Sequence, residues 1–412
     1  MTIASLFRKW NDFFFEPSPP TPIVLYRILY GIMNLFNLLL MAPDWPAYFG
    51  PHAIVTLATV QSTHRGFRPD LFAFLPQTDF VTNVFYWVFL VLCIFVMVGF
   101  MTRTSLLLVY IGLSSMQLRD PYILNSGDTL LRVTGFFMLF APAGAAMSVD
   151  RLIRIWRGKE GVAVPLCAPW AQRLIQIQTS VVYVTTFWWK SFGPKWVNGT
   201  SVYFALRMRE FARFPVPDFL VFNRLFIKAA TWGTLFVEFS AGVLMWVKDL
   251  RYFVILLVIS LHIGIEYTMN IPMFEWITVS TLITFVYPED LARFWAWVRA
   301  RAMPLIGDAR VVLYDPLLTP SGRMADVLRA IDVFGRLQLV DARSPEARAP
   351  GSGRSPSVGK HRFLVVTPGG LRSGFSALVA ISPVVPALWL LAPLSVFTRG
   401  GGHPSGATSA AS

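Results

Sequence analysis

The sequence predicts a mostly α-helical, polytopic membrane bundle of about eight spans, followed by a small C-terminal α/β domain. Composition is the first reason: 55% of the 412 residues are hydrophobic and 14% are charged, whereas about a quarter of the residues in a soluble globular protein are charged. The second reason is that apolar stretches close to the ~20 residues of a membrane crossing recur along most of the chain. After Pro304 the pattern changes to short apolar strands and one amphipathic helix.

The cysteine count and the charge exclude several classes of function. Cys93 lies in an apolar run and Cys167 in a connecting segment, so they give neither a disulfide framework nor a thiolate metal site. The net charge of +13 comes from basic residues scattered singly between apolar segments. That distribution is typical of cytoplasmic loops and of contacts with anionic lipid. We therefore expect membrane lipid as a partner, no nucleic acid and no metal.

Residues 1–20 are predicted to contain an interfacial amphipathic helix. Over residues 3–15, Leu6 and Trp10 fall on one side, while Arg8 and Lys9 fall elsewhere. The segment is too short to span a bilayer and has no small-residue cleavage site, so it does not have the pattern of a signal peptide. The proline-rich sequence EPSPPTP separates it from the first span.

The transmembrane domain is assigned to residues 21–304. Each predicted span is a stretch of about 20 largely apolar residues, although the third and the eighth are short. A later apolar stretch, 381–397, contains three prolines, which argue against a ninth span. The eight predicted spans are 23–41, 82–101, 104–118, 129–147, 170–191, 226–247, 251–269 and 273–288.

The distribution of Arg and Lys predicts that both termini are cytoplasmic. The 148–172 loop carries four basic residues and would face the cytoplasm in this orientation, whereas the uncharged 270–273 turn would face outside. The 192–225 loop departs from the rule, because its basic residues would lie outside. The positive-inside bias is statistical, so we keep the assignment and expect a bacterial inner-membrane protein.

Residues 305–397 are predicted to form the small α/β domain. The segment 344–359 is rich in Pro, Gly and Ser and is expected to be a flexible insertion. Residues 398–412 have the composition of a disordered tail. The predicted elements are a strand at 310–315, a helix at 321–333, a strand at 336–341 and a hairpin at 361–374.

Five of the predicted spans carry polar side chains along one helical face. A charged side chain in a bilayer is costly, so it usually faces the bundle interior or a water-filled cavity. Matched polar faces in several spans therefore predict one internal polar site. The residues on these faces are Arg27, Tyr30, Asn34 and Asn37; Asp128 and Arg132; Gln176, Thr179, Tyr183, Thr186 and Lys190; Thr231, Thr234 and Glu238; and His262 and Glu266.

Each charged residue also has a purely structural explanation. Arg27 lies near a helix end and could extend to the membrane surface, and Asp128 and Arg132 could satisfy each other. A single buried histidine such as His262 is more often a packing residue than a catalyst. Lys190 follows two tryptophans, which is typical of an interfacial anchor. Because Lys190 continues the polar face of its own helix, we expect it to point into the bundle.

Six short motifs, in order along the chain, resemble the HTTM domain, the membrane domain shared with vitamin K-dependent gamma-carboxylases. The resemblance covers roughly residues 5–295 and implies a membrane-embedded helical fold. The motifs are IVLYRILYG, MQLRDPYILNSGDTLLR, MSVDR, WKSFGPKWVNGTSVYFAL, FVEFSAG and SLHIGIEYTMNIPMFEW.

The resemblance implies a reduced quinone (vitamin K-like) as cofactor. In the carboxylases a lysine followed by W-x-x-G is held to deprotonate the hydroquinone, and this pattern falls on Lys190, Trp196 and Gly199. The chain differs in having Gly127-Asp128 where the animal carboxylase has Asn-His, and it lacks the long lumenal β-rich segment. The expected catalytic residues are Lys190, His262 and Glu266, and the expected cavity-lining or substrate-binding residues are Arg27, Asn34, Asp128, Arg132, Tyr183, Trp196 and Glu238.

The C-terminal domain resembles the DCC family of thioredoxin-like thiol-disulfide oxidoreductases. The motif D-G-x-C-x-x-C falls on VVLYDPLLTPSGR, where Asp315 is kept and the glycine is Pro316. The two cysteine positions hold Leu318 and Ser321. Because disulfide exchange needs an attacking and a resolving thiol, we expect no such activity.

Two classes of function follow from these observations. The first is a quinol-linked, carboxylase-like enzyme that acts on a peptide or small substrate at the outer leaflet. The second is a non-catalytic membrane factor for the maturation of, or immunity to, a secreted peptide. Bound quinone would favour the first class, and a neighbouring gene for a secreted peptide would favour the second.

Overall fold

The computed structural model describes residues 2–63, 70–347, 358, 362–367 and 370–394. Over these residues the chain is mostly helical, with a small mixed sheet near the C-terminus. Most of the predicted flexible insertion and the whole predicted tail lie outside the described residues. The chain divides into two compact units, one of residues 1–149 and 165–288 and one of residues 150–164 and 289–412.

The described residues contain eighteen α-helices. The α-helices are α1 (Ile3–Phe15), α2 (Thr21–Met41), α3 (Trp45–Phe49), α4 (Leu57–Thr63), α5 (Asp79–Val98), α6 (Thr102–Arg119), α7 (Ser126–Met138), α8 (Val149–Trp156), α9 (Trp170–Ser191), α10 (Pro194–Val197), α11 (Ser201–Leu206), α12 (Asp218–Val221), α13 (Arg224–Val243), α14 (Arg251–Thr268), α15 (Phe274–Thr281), α16 (Pro288–Ala302), α17 (Thr319–Ile331) and α18 (Gly374–Ile381). Short 3-10 segments extend α13 over Leu244–Trp246 and α15 over Leu282–Phe285.

Every predicted span coincides with a helical segment, but length and composition support fewer than eight crossings. Among the described residues, α2, α5 and α14 are the three helices long and apolar enough to cross a membrane. The count rises to four if Gly374–Val384 and Pro386–Leu394 are one span, although this pair is bent by 114°. The other predicted spans fail this test because they are short or polar. The α9 helix, for example, carries three glutamines, an arginine and a lysine.

The fourth predicted span, 129–147, is only half helical for a definable reason. The α7 helix ends at Met138, and residues 139–148 form turns. The Arg27 guanidinium donates hydrogen bonds to the carbonyl oxygens of Ala143 at 2.8 Å and Met147 at 2.5 Å. Because these charge-assisted bonds satisfy the carbonyls, the chain can leave the helix while its backbone stays buried.

The amphipathic pattern of residues 3–15 forms α1, as predicted. Ile3, Phe7 and Trp10 are largely exposed, whereas Phe14 is buried. The Phe13 ring packs 5.8 Å from that of Trp246, and Arg173 lies 4.7 Å above it. One face of α1 therefore packs against other residues of the first unit, and the opposite, exposed face is apolar, as in helices that lie at a membrane surface.

The second unit contains a four-stranded mixed sheet. Its strands are β1 (Arg310–Tyr314), β2 (Leu337–Asp341), β3 (Leu364–Thr367) and β4 (Gly370–Ser373), in the order β2-β1-β3-β4. The α17 helix connects the parallel β1 and β2, and β3 is antiparallel to both of its neighbours. The predicted order of strand, helix, strand and hairpin is therefore present.

Ser321, one of the two positions aligned above with motif cysteines, has a structural role. Ser321 is buried, and its hydroxyl oxygen accepts a hydrogen bond from the backbone N–H of Asp315 at 2.8 Å. The Asp315 carboxylate accepts from the N–H of Leu317 at 3.0 Å and from Arg343 at 2.8 Å. The hydrogen bond from Arg343 is the main reason that the pKa of the Asp315 carboxyl lies below its ordinary value. Hydrogen bonds to the Ser321 hydroxyl and the Asp315 carboxylate therefore hold this loop.

Candidate functional site

An ion pair between α9 and α13 forms the centre of the site. The Lys190 ammonium donates a hydrogen bond to Oε1 of Glu238. The Glu238 side chain is 8% exposed and the Lys190 side chain 30% exposed, so the pair lies at the edge of the bundle interior. Lys190 Nζ also lies 4.8 Å from the centre of the Trp196 ring, a favourable cation–π arrangement.

Close packing of the two helices brings Lys190 and Glu238 together. A Cβ atom at Gly242 would lie 2.5 Å from Val184 Cγ2 and 3.2 Å from the Val184 backbone nitrogen. A side chain there would push α13 away from α9. The glycine therefore permits the short interhelical distance that this ion pair requires.

A buried hydrogen-bonded chain joins α9, α14 and α15. His262 Nδ1 contacts Oε2 of Glu275, and His262 Nε2 lies 2.9 Å from the hydroxyl of Tyr183. All three residues are buried. With the Glu275 carboxylate as acceptor, Nδ1 carries a proton, and the Tyr183 hydroxyl is the hydrogen-bond partner of Nε2. The orientation of His262 is thus fixed from both sides.

A third pair lies where α14 ends. Arg213 donates to Oε1 of Glu266, which also accepts from Nε1 of Trp276 at 3.2 Å. The backbone holds this contact in place, because the N–H of Arg213 donates to the carbonyl of Thr268 at 3.2 Å. The 207–213 segment is thereby attached to the end of α14.

The three sets of contacts form one electrostatic network. Glu238 lies within electrostatic range of His262 and Tyr183, and Glu275 lies within range of Glu266 and Arg213. One buried carboxylate oxygen in each of Glu238, Glu266 and Glu275 has no hydrogen-bond partner among the described residues. Such buried acceptors are costly unless a donor satisfies them. The network can therefore accept hydrogen bonds from a ligand.

Comparison with known proteins identifies the family to which this site belongs. The sequence profile of the HTTM domain matches residues 15–290, about two thirds of the chain. The chain belongs to the HTTM domain family. It is also 22% identical over 304 residues to "Uncharacterized protein YitO" of Bacillus subtilis (strain 168), an alignment that covers 72% of this chain and 94% of that protein. No solved structure matches the chain.

The family assignment agrees with the expected membrane location, because apolar helices and the HTTM domain occur together here. The similarity to the Bacillus subtilis protein identifies no activity and no substrate.

Six of the ten residues expected at the site of this HTTM protein take part in the network or touch it. Trp196 contributes through its ring and the other five through charges or hydrogen bonds. The network also recruits Arg213 and Glu275, which the sequence reasoning missed. The six are Tyr183, Lys190, Trp196, Glu238, His262 and Glu266.

Arg27 lies apart from this network. Its guanidinium is fully buried, and it donates to carbonyl oxygens of Met97, Ala143, Ala146 and Met147. These bonds are those of a structural residue that supports a non-helical segment. The alternative that Arg27 extends to the membrane surface is excluded by its burial.

Asp128 occupies a different position again. Its carboxylate accepts from the side chain of Asn37 at 3.2 Å and from the N–H of Asn125 at 2.9 Å, completing a capping box at the start of α7. Asn37 is ten residues from Arg27 on α2, about 15 Å along the helix axis at the standard rise. Asp128 and Arg27 therefore do not meet in one cavity.

Asn34 and Arg132 complete the predicted set. The Asn34 side chain is buried and donates to the carbonyl of Tyr30, one turn earlier on the same helix, at 2.8 Å. Arg132 is half-buried on α7. The ion pairs of the described residues include none between Arg132 and Asp128, so the alternative in which these two residues satisfy each other is not supported.

Two weak sequence signals pointed to the missed residues. Glu275 is an acidic residue at the start of a predicted apolar span, where an unpaired carboxylate would be costly. Arg213 lies in the 192–225 loop, whose basic residues disagreed with the predicted orientation. Over the part of the chain that the structure describes, no cluster of three His, Cys, Asp or Glu residues is suited to a metal ion.

Proposed function

We propose that this HTTM protein is a membrane enzyme that removes a proton from an acidic O–H group of an amphiphilic substrate. A reduced quinone is the favoured substrate class, and the deprotonation would serve a carboxylase-like modification of a peptide or small molecule at the outer leaflet. The Lys190–Glu238 ion pair carries the proposal, because it places a base beside a cation at the edge of a buried network.

A reduced quinone fits the residues present. Glu238 Oε2 is a buried acceptor without a partner among the described residues, so a substrate O–H can donate to it. The ammonium of Lys190 has three N–H donors and is partly exposed, so it can also contact a developing oxyanion. The Trp196 ring offers an apolar surface beside the Lys190 ammonium. When bound, a reduced quinone would supply the acidic O–H and the reducing equivalents of a carboxylase-like reaction.

The ion pair favours a division of roles within the site. An ammonium that already donates to a carboxylate must lose a proton before it can act as a base. We therefore assign proton acceptance to Glu238 and oxyanion stabilisation to Lys190. His262, oriented by Glu275, and Tyr183 lie within range of Glu238 and provide the route by which the proton leaves.

The proposed topology has eight crossings and both termini in the cytoplasm. Short or polar helices can cross when their polar faces are buried against neighbours, and α9 buries Gln176 and Thr179 in the first unit. The α15 helix likewise turns the hydroxyls of Thr278 and Thr281 back onto its own carbonyls. In the proposed topology, the Lys190 end of α9 would lie at the outer surface.

We further propose that residues 305–397 form a thioredoxin-like domain without redox activity. The mixed sheet order and the helix between two parallel strands support this fold. The chain has no cysteine after Cys167, so no thiol is present there to attack a disulfide. The full chain should reduce insulin disulfides no faster than dithiothreitol alone, and a clear acceleration would contradict the proposal.

The enzymatic proposal is tested with the full chain in lipid nanodiscs. Reduced vitamin K is supplied with oxygen and bicarbonate, and its consumption is followed by chromatography. Mass spectrometry of co-purified lipids reports bound quinone. We expect Glu238→Gln and Lys190→Gln to lower turnover by about 10²- to 10⁴-fold, as for loss of a general base or of oxyanion stabilisation. Lys190→Arg keeps the cation and should retain more than a tenth of the turnover.

Lys195→Gln is the matched control for the Lys190 variants. Lys195→Gln removes a nearby lysine that lies 3.7 Å above the Phe204 ring, and should leave turnover unchanged. If Lys190→Arg is as inactive as Lys190→Gln, the titratable amine itself is the base and the division of roles is wrong. If no quinone binds and none is consumed, the non-catalytic role in peptide maturation or immunity becomes the better explanation.

A further inference from the structure

A cavity in the first unit lies between the loop after Trp196 and the beginning of α13. It is an open cavity with a volume of about 590 Å³, within the range of about 300 to 1,000 Å³ that small-molecule sites occupy. Its walls include Gly199, Tyr203 and Phe222 on one side and Arg224, Lys228 and Trp232 on α13. None of the Lys190–Glu238 or His262–Glu275 pairs lines it.

Two basic residues line the cavity at the start of α13, where positive charge is unfavourable. Arg224 is the first residue of α13 and Lys228 lies one turn later on the same face. The start of a helix is its positive end, where acidic residues are favoured, yet the first turn of α13 has none. Neither Arg224 nor Lys228 takes part in any ion pair recorded between described residues. Two cations therefore line the cavity without an ion-pair partner in the part of the chain that the structure describes.

Aromatic side chains and a glycine shape the same cavity. Lys228 Nζ lies 5.3 Å from the centre of the Trp232 ring, whose Nε1 donates to the carbonyl of Val197 at 3.4 Å. Gly199 has φ +76°, and a Cβ there would lie 2.9 Å from Lys228 Cγ and 3.1 Å from the Trp232 ring. The N–H of Val202 donates to the Thr231 hydroxyl at 3.2 Å, which fixes the loop to α13. Close packing of residues 196–200 (WVNGT) against α13 therefore shapes the cavity.

We propose that this cavity binds the phosphate of an anionic phospholipid headgroup, with Arg224 and Lys228 as the charged ligands. Arg presents a planar fork that matches phosphate oxygens, and Lys adds a compact cation. The aromatic residues Tyr203, Phe222 and Trp232 line the remaining wall, as expected of side chains at a membrane interface. The proposal does not depend on the enzymatic function proposed for Lys190 and Glu238.

The test measures lipid binding to the delipidated full chain by native mass spectrometry. Phosphatidylglycerol and phosphatidylcholine with identical acyl chains are titrated separately. The wild-type chain should bind the first phosphatidylglycerol about 30-fold more tightly than phosphatidylcholine, the factor expected from two basic residues near a lipid surface. The double variant Arg224→Gln/Lys228→Gln should lose this preference. Lys228→Arg keeps both charges and should retain it.

A charge-matched control separates the cavity from the general basicity of the loop. Lys195→Gln/Arg209→Gln removes two cations that do not line the cavity, and should keep the preference for phosphatidylglycerol. Displacement of bound lipid by millimolar inorganic phosphate would show that the site takes a free phosphate group, and its failure would show that the acyl chains are needed. The proposal is overturned if the wild type has no preference or if both double variants lose it equally.

Discussion

His262 and Glu275 are joined through His262 Nδ1 although they lie thirteen residues apart on two different helices. The carboxylate fixes which imidazole nitrogen carries the proton, and so it directs Nε2 toward the hydroxyl of Tyr183. This contact couples the end of α14 to the start of α15 across a short turn. It therefore makes Glu275 a positioning residue for the site.

Replacement of Glu275 tests this coupling. Glu275→Leu leaves the Nδ1–H of His262 buried without its acceptor, at a cost of about 1–3 kcal/mol. We expect a clearly lower midpoint of thermal unfolding in detergent, and a smaller change for Glu275→Gln, whose amide oxygen can still accept. The exposed Glu289→Leu is the control and should leave the midpoint unchanged. Equal midpoints for Glu275→Leu and the control would show that the contact is not formed.

Gly242 provides a second test, directed at the packing of α9 against α13. Gly242→Ala places a methyl group 2.5 Å from Val184 Cγ2, so the helices must separate. Overpacking of this kind costs about 1–3 kcal/mol. We expect a lower unfolding midpoint together with reduced turnover in the assay of the Lys190 variants.

Gly233 is a matched control on the same helix, because a Cβ there has no neighbour within 4 Å. Gly233→Ala should raise the stability by up to about 1 kcal/mol, the difference in helix propensity between the two residues. If Gly242→Ala behaves like Gly233→Ala, then α9 and α13 do not pack as closely as the structure shows.

The loop after α8 is expected to be sensitive to acid. Burial of the Glu160 carboxyl acts to raise its pKa, but Arg154 and Arg151 outweigh burial and the pKa lies below its ordinary value. A lowered folded-state pKa stabilises the fold fully above the unfolded value, about 4.3, and the stabilisation is lost as the pH falls through the folded pKa.

Hydrogen–deuterium exchange of residues 150–164, corrected for intrinsic rates, measures this effect. Protection should fall between pH 5 and pH 3 in the wild type, since the Glu160 ion pairs with Arg151 and Arg154 are then lost. Glu160→Gln should show low protection throughout, with little dependence on pH. A wild-type profile as flat as that of Glu160→Gln would refute the prediction.

The proposed topology is tested by cysteine accessibility in a Cys167→Ser background, because Cys93 is buried. Ser126→Cys at the start of α7 should react with a membrane-impermeant maleimide added to intact cells. Lys159→Cys, in the loop after α8, should react only after the membrane is opened. Both positions are exposed in the structure. Labelling of Lys159→Cys in intact cells would show that the proposed orientation is wrong.

Sequence patterns determined the helical segments and their polar faces, because hydropathy and a period of 3.6 residues are local properties. They placed α9 at residues 170–191, with Gln176, Thr179, Tyr183 and Lys190 on one side. The same kind of local pattern predicted the strand, helix, strand and hairpin of the second unit. The family followed from ordered motifs over most of the first unit.

The tertiary structure decided which polar residues meet. Arg27, Asp128 and Lys190 all lie on predicted polar faces, yet Arg27 supports the turns after α7, Asp128 caps α7, and Lys190 pairs with Glu238. A helical face specifies a direction around one axis, but it does not specify the height at which neighbouring helices pack. Those heights depend on close contacts such as Gly242 against Val184 and on long-range bonds such as those of Arg27. Such contacts join residues distant in the chain, and so only the folded structure could assign each charge its partner.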